Sequence, residues 1–250
     1  MSSRNRRRGV TLIEVLIAVS LLSLLSAGML TAMRVGLDAM NKSNDRLLEN
    51  RRVAGVERIL EQQIAGFVPV MAPCVAVPPA APSVLPFFQG EPGAMRFVST
   101  FSLQEAWRGL PQILEYLVIP REHGNGVRLV VNEVPYAGPA AAGLLCLGRG
   151  FDPALGVTVP LFRPVKAGPH SFVLADKLAG CRFLYLEAPP PGAPALAPDR
   201  WRPNWVAPLW PLGIRVEMAP LDADPTRLQP VAITAPIRVK RSPEVKYGDY

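Results

Sequence analysis

The chain opens with a 24-residue apolar run, Val10 to Met33, interrupted by a single charge, Glu14. Wound as a helix, a run of this length rises about 36 Å, against about 30 Å of bilayer hydrocarbon. It can cross a membrane once, with some tilt. Arg4, Arg6, Arg7 and Arg8 precede it and residues 1–9 hold no acid. A basic flank of this kind stays on the cytoplasmic side. The remaining residues are then expected outside the inner membrane of a bacterium, or in an equivalent compartment. Two plain readings compete. A secretory signal peptide has a core of about 7 to 15 apolar residues and a small-residue cleavage site after it. Here the core is longer, and no small-x-small site follows. An ordinary single-pass anchor fits the length but gives no reason for an acid at the fifth position of the run.

An ionised carboxylate at bilayer depth costs about 2.5–3.5 kcal/mol on insertion scales, so it marks a functional position and needs a partner. The apolar run contains no basic residue. Cutting the chain after Gly9 would give Val10 a free, positively charged α-amine one helical turn from Glu14. Within one chain that amine points along the helix axis, which makes the pairing awkward. The amine of a neighbouring chain is easier to reach, and such a pair would set an axial stagger between subunits.

The run Gly9-Val10-Thr11-Leu12-Ile13-Glu14-Val15-Leu16-Ile17-Ala18 closely resembles the type IV prepilin signature. The resemblance implies that a prepilin peptidase cuts between Gly9 and Val10 and methylates the new N-terminus at Val10. It also implies that Glu14, at mature position five, guides subunits into a helical filament. The first mature residue of that family is usually Phe, where this chain has Val10.

Beyond the apolar run the helical pattern continues. Leu37, Met40, Leu47, Leu48, Val53, Val56, Leu60 and Ile64 recur at near-helical spacing, with Arg46, Glu49, Arg51, Arg52, Glu57, Arg58 and Glu61 between them. Gly66 and Pro69 are stop signals. From Val10 to Gly66 is 57 residues, about 85 Å if wholly helical. Gly28 and Gly36 are places where such a helix could bend or melt locally. The organisation expected is a basic leader over 1–9, a transmembrane helix over 10–33, an amphipathic extension over 34–66 and a β-rich periplasmic head over 67–250.

In the head, Val70 to Pro92 is rich in Pro and Ala and reads as a loop. Short β-prone runs follow: Arg96–Phe101, Ile113–Ile119, Val127–Glu133, Leu144–Leu147, Ser171–Leu174, Cys181–Glu187, Leu212–Met218 and Val231–Lys240. His123-Gly124-Asn125-Gly126 reads as a hairpin turn, and Pro189 to Pro194 as another loop. No dozen-residue helical pattern separates the runs, so the strands are expected to pair mostly antiparallel. The 28 prolines in 250 residues, about twice the usual share, also argue against an all-helical protein. The fold class expected is α+β, pilin-like: a long N-terminal helix packed on antiparallel sheet.

The C-terminal part is similar to minor pseudopilin J of type II secretion systems. Strand Cys181–Leu186 is followed by a Pro-rich loop, by Trp201-Arg202-Pro203-Asn204-Trp205, and by Leu209-Trp210-Pro211-Leu212-Gly213-Ile214-Arg215-Val216. An acidic turn, Leu221-Asp222-Ala223-Asp224-Pro225, and a closing apolar strand complete the order. Upstream, Leu114–Val118 and Gly126–Val130 resemble that family's central hairpin. The Trp210-Pro211 variant and the Pro-Ala stretch from Met71 to Ala81 depart from the common pattern. The resemblance implies a non-enzymatic role: helping to start and cap a short periplasmic filament that moves folded exoproteins through an outer-membrane secretin. The partners implied are the prepilin peptidase, minor pseudopilins of the I, K and H types, the major pseudopilin and the inner membrane. A minor pilin of a type IV pilus or of a DNA-uptake machine would carry the same N-terminus. A membrane-anchored periplasmic binding protein or enzyme is the third reading.

Charge and chemistry-bearing residues bound these readings. The net charge of +7 includes the four leader arginines, and the remainder balances 23 basic against 20 acidic residues, or +3. No nucleic-acid partner is expected, because that needs a basic patch on the folded domain. The two histidines, His123 and His170, form no H-E-x-x-H pattern, and no G-x-S-x-G elbow is present. Asp222 and Asp224 are too few carboxylates for calcium without further oxygen ligands. No cofactor, metal site or catalytic residue is therefore expected. The cysteines Cys74, Cys146 and Cys181 are spaced 72 and 35 residues apart, which matches no metal motif. An exported head permits a disulfide, and Cys74 with Cys146 is the better pair. Cys181 opens an apolar strand and is expected to be buried. Trp201, Trp205 and Trp210 read first as core or loop packing, and second as a partner contact.

Overall fold

A computed structural model describes residues 10–74, 83–103, 108–122, 124–153, 156–169, 171–190, 192, 194, 198–207, 209–221 and 231–238. The chain divides into two compact units, Met1–Arg51 and Arg52–Tyr250. Helix α1 covers Leu12–Ala65 and runs unbroken through Gly28 and Gly36. Within the first unit, the helix carries one charge, Glu14, as far as Met33, and Leu12–Asn44 is long and apolar enough to cross a membrane.

In the second unit the last turns of α1 become amphipathic in fact as well as in pattern. Leu60 and Ile64 are fully buried, and Val56 packs beside them. By contrast Leu37, Met40, Leu47 and Leu48, which share the heptad-like spacing, are exposed in the single chain. The helix stops at Gly66, where the backbone comes close to a strand. A Cβ at Gly66 would stand 2.7 Å from Ser99 Oγ, and the Gly66 carbonyl accepts from Thr100 N at 2.9 Å.

Among the described residues thirteen strands follow: β1 Phe67–Val68, β2 Met71–Cys74, β3 Ser83–Pro86, β4 Gln89–Gly90, β5 Ala94–Phe101, β6 Arg108–Pro120, β7 Val127–Pro135, β8 Cys146–Asp152, β9 Val157–Phe162, β10 Phe172–Leu186, β11 Trp201–Arg202, β12 Gly213–Pro220 and β13 Val231–Pro236. A short helix, α2 Pro139–Gly143, precedes β8. The main sheet has nine strands in the order β1-β5-β6-β7-β10-β12-β13, with β4 also on β5 and β11 also on β10. Every pairing recorded is antiparallel, as expected when no crossover helix intervenes. The α+β class and the long helix with antiparallel sheet hold.

One face of the main sheet meets the end of α1. Met95, Phe97, Leu114, Tyr116, Leu129, Val131, Phe183, Tyr185, Ile214, Val216 and Ile233 alternate along their strands and join Leu60 and Ile64 in one core. Phe97 and Tyr116 stack at 5.9 Å, and Tyr116 meets Phe183 edge-on at 6.1 Å. Burying each such side chain stabilises the head by about 1.5–3 kcal/mol. The opposite face of β5 and β6 carries a smaller core, in which Val98 and Ile113 meet Val70, Ala72, Phe87 and Ala142.

Several sequence expectations change. Val70–Pro92 is not simply a loop: β2 pairs with β3 from Met71↔Pro86 to Cys74↔Ser83. Pro73 is tolerated there because this sheet has only two strands, so an edge without a backbone donor loses nothing. Ser171–Leu174 and Cys181–Glu187 are two ends of the one strand β10. Register shifts lie between Val173 and Ala175 and between Ala175 and Leu178, and Lys177 adopts φ 56°. The bulged strand pairs with β7 from Phe172 to Leu178 and with β12 from Leu178 to Leu186. The run Leu144–Leu147 is the exit of α2 followed by the start of β8, and β9 lacked any sequence signal strong enough to name it. The hairpin turn holds: β6 and β7 pair through Pro120↔Val127, with Gly124 at φ 93° and Gly126 at φ 94°. A Cβ at Gly126 would lie 2.3 Å from the Leu178 carbonyl oxygen, so glycine is required twice over.

Candidate assembly site and the polar framework of the head

Val10 is the first described residue, and Gly9 lies outside the described residues. Helix α1 closes its first bonds on Thr11, whose carbonyl accepts from Glu14 N at 3.1 Å and Val15 N at 3.3 Å. Glu14 therefore sits in the first turn, at the positive end of the helix dipole, which favours a carboxylate. None of the ion pairs among the described residues reaches it. Around it Val10, Leu12, Ile13 and Leu16 are each more than 60% exposed in the single chain. A surface of that kind needs lipid or other apolar helices against it. Three of its hydroxyls make no such demand: Ser20 Oγ donates to Ile17 O at 2.9 Å, Ser23 Oγ to Val19 O at 2.6 Å and Thr31 Oγ1 to Gly28 O at 2.8 Å. Back-bonding of this kind satisfies a hydroxyl inside its own helix.

The head holds two polar clusters that sequence reasoning missed. In the first, Gln63 on α1 is fully buried and reaches three elements of the sheet. Its Nε2 donates to Glu133 Oε1 at 3.1 Å, its Oε1 accepts from Tyr116 Oη, and its carbonyl accepts from Ser99 Oγ at 2.7 Å. Glu133 also accepts from Ser102 Oγ at 2.8 Å and Leu103 N at 2.6 Å. Burial, and then the Glu133 charge, hold the Tyr116 hydroxyl well above its ordinary pKa, so it stays a neutral donor. In the second cluster, Arg96 is 1% exposed and pairs with Glu115 at 2.8 Å. It also donates to Gln89 Oε1 at 2.7 Å and to the Arg163 carbonyl at 2.8 Å, and its guanidinium lies 5.5 Å from the Phe162 ring centre. Desolvation lowers its pKa, against the opposing pull of Glu115. The readable signal was the cross-strand register Arg96↔Glu115, which a period-2 alignment of the two runs would have placed on one face. Both clusters are paired throughout and read as framework.

Cys74 and Cys146 form a disulfide with Cα atoms 5.2 Å apart, joining β2 to β8 across a separation of 72 residues. Closing a loop of that length lowers the entropy of the unfolded chain by about 4 kcal/mol in the loop-closure model. Cys181 is free and partly exposed, and desolvation pushes its thiol up to about 12. The tryptophans serve the edge of the core. Trp205 and Trp210 pack against it, Trp205 Nε1 donates to Leu209 O at 2.6 Å, and Trp201 lies under the Arg215 guanidinium at 4.1 Å. His123, His170, Asp222 and Asp224 lie outside the described residues. Among the described residues no group of three or more His, Cys, Asp or Glu is placed to hold a metal.

Residues 4–30 match the family model of the prokaryotic N-terminal methylation motif. No curated protein and no solved structure matches the chain. The matched segment covers Gly9, Val10 and Glu14, and it implies processing by a prepilin peptidase and assembly with other pilins. Together with the apolar N-terminal helix, it is consistent with a single-pass membrane anchor. The motif and the α+β architecture support a pilin-like protein of the type IV pilus or secretion type.

Proposed function

We propose that the chain is a minor pseudopilin of a type II protein secretion system. It acts at the tip of a short periplasmic filament, where it helps to start assembly and to move folded exoproteins through the outer-membrane secretin. The observation that carries this reading is the methylation motif with its one acid, Glu14, joined to a head whose strand order ends β10, tryptophan segment, β12, β13. In this role Gly9 and Val10 flank the peptidase cut, Val10 receives the methyl group, and Glu14 meets the α-amine of a neighbouring subunit. The partners are the I, K and H type minor pseudopilins and the major pseudopilin, with the head on the periplasmic side of the inner membrane. The Cys74–Cys146 bridge suits that oxidising side. The head supplies binding surface and does not turn over substrate.

Deleting the gene should abolish secretion and leave folded exoprotein in the periplasm. Normal secretion from that strain would reject the role. Isolating the native complex separates the runner-up: recovery of pilus subunits instead of pseudopilins would assign the chain to a type IV pilus or DNA-uptake machine, whose subunits share the same N-terminus.

A further inference from the structure

The smaller core of the head is roofed by elements outside the nine-stranded sheet. Strands β2 and β3 form one two-stranded sheet, and β8 and β9 form another. Isolated two-stranded pairs are marginal in water. Their own apolar contribution to the smaller core is modest, Ala72 from β2 and the partly buried Phe162 from β9, while Val70, Phe87, Ala142 and Leu145 come from the segments that flank them. The two pairs meet through α2, whose Gly143 sits so near β2 that a Cβ there would be 2.2 Å from the Pro73 carbonyl oxygen. One guanidinium of the main sheet, Arg96, reaches the residue after β9 through the Arg163 carbonyl. The covalent link between the pairs is Cys74–Cys146, with both residues no more than 5% exposed.

We infer that the Cys74–Cys146 disulfide is a redox-controlled lock on a separable second layer of the head, made of β2, β3, α2, β8 and β9. Oxidised, the bridge holds the layer closed over Val98 and Ile113. Reduced, the layer opens while the nine-stranded sheet and the end of α1 stay folded. Closure needs a disulfide-bearing oxidant. One cysteine thiolate attacks the oxidant's S–S bond, forming a mixed disulfide and releasing one oxidant thiol. The second cysteine thiolate then displaces the other oxidant sulfur. Two protein thiols become one disulfide, and the oxidant leaves as two thiols carrying the protons. Cys181 stands apart from this exchange on β10, in the main sheet, where burial keeps its thiol protonated and a poor nucleophile.

The test is hydrogen–deuterium exchange on the full-length chain in detergent micelles, with and without dithiothreitol. In reductant, amides of β2, β8 and β9 should exchange about 100-fold faster or more, while β6, β7 and β10 stay within about threefold. Oxidised glutathione should restore the slow exchange. The Cys74→Ser/Cys146→Ser double variant should show the reduced pattern without reductant, and Cys181→Ser should behave as the wild type in both conditions. Unchanged exchange in β8 and β9 on reduction would overturn the inference, because the layer would then hold without its bridge. Loss of protection across all strands together would also overturn it, since the layer would not be separable. A non-reducing peptide map that links Cys181 to either partner would remove the lock itself.

Discussion

From Val10 to Met33 every large apolar side chain is exposed in the single chain, whereas in the head Phe97, Tyr116 and Phe183 are wholly buried. The two regions use hydrophobicity for different ends. In the head it drives the chain onto itself, through the alternation of β5, β6, β7 and β12. In the N-terminal stretch it is reserved for lipid or neighbouring helices, and the chain's own fold leaves it uncovered. A family model matches residues 4–30, in the first of these regions. A core needs only apolar residues of suitable volume in the right alternation, and many sequences meet that need.

Perturbing each region separately sharpens the contrast. The largest effect is expected at the peptidase site. Gly9→Ala should leave most or all of the chain as unprocessed precursor, read as intact mass, with the head still folded by circular dichroism. A normal mature mass would remove the site. Next, Glu14→Leu should insert in the membrane as before yet fail to enter filaments, seen by fractionation against sheared filament material; wild-type incorporation would dissociate Glu14 from register. In the head, Leu114→Ala should lower stability by about 2–5 kcal/mol in denaturant unfolding, because the cavity opens against Phe97 and Tyr116. Leu24→Ala, made in the first unit, should leave that same transition unmoved, and a shift comparable to the Leu114 variant would erase the contrast between regions. The smallest effect concerns Cys181. Its folded thiol is raised to about 12 from an ordinary value of 9.0, so folding favours the protonated form. That contribution is complete below pH about 9 and is lost as pH rises toward 12. Alkylation of Cys181 by iodoacetamide at pH 8 should be slow in the native head and accelerate on unfolding; equal rates would show the thiol is not shielded.

How far the chain could be read from its residues follows the same divide. The prepilin-like motif around Glu14 was legible because a lone acid in a long apolar run has few explanations, and residues 4–30 match the family model of the methylation motif. The β6–β7 hairpin was legible because Gly124 and Gly126 need positive φ, and few other residues adopt it. The Cys74–Cys146 pairing named from the sequence is the one the structure forms. Strand β10 was split in two because Asp176 and Lys177 interrupt the alternation at the bulge, where Asp176 Oδ1 accepts from Lys177 N at 2.8 Å. Strand β2 hid behind Pro73. Strand β8 hid behind Gly148 and Gly150, the second of which is packed against Leu161. Buried Gln63 could not be placed in advance, because its partners arrive from strands 36 to 70 residues away; for Arg96 the Glu115 partner was readable from the cross-strand register, whereas the carbonyl 67 residues on was not. Local chemistry is written locally, while long-range pairing depends on a register that a single sequence leaves open.

The hydroxyls of Ser20, Ser23 and Thr31 answer to carbonyls of their own helix. A neighbour lying alongside is therefore asked for no matching polar groups at those positions, and subunits of quite different sequence can occupy the same berth. In the proposed filament, discrimination along Val10–Met33 then falls to its one acid, Glu14. Moving that carboxylate by one turn would slide a protomer by about 5.4 Å along the shaft, a whole step of misalignment from one displaced side chain.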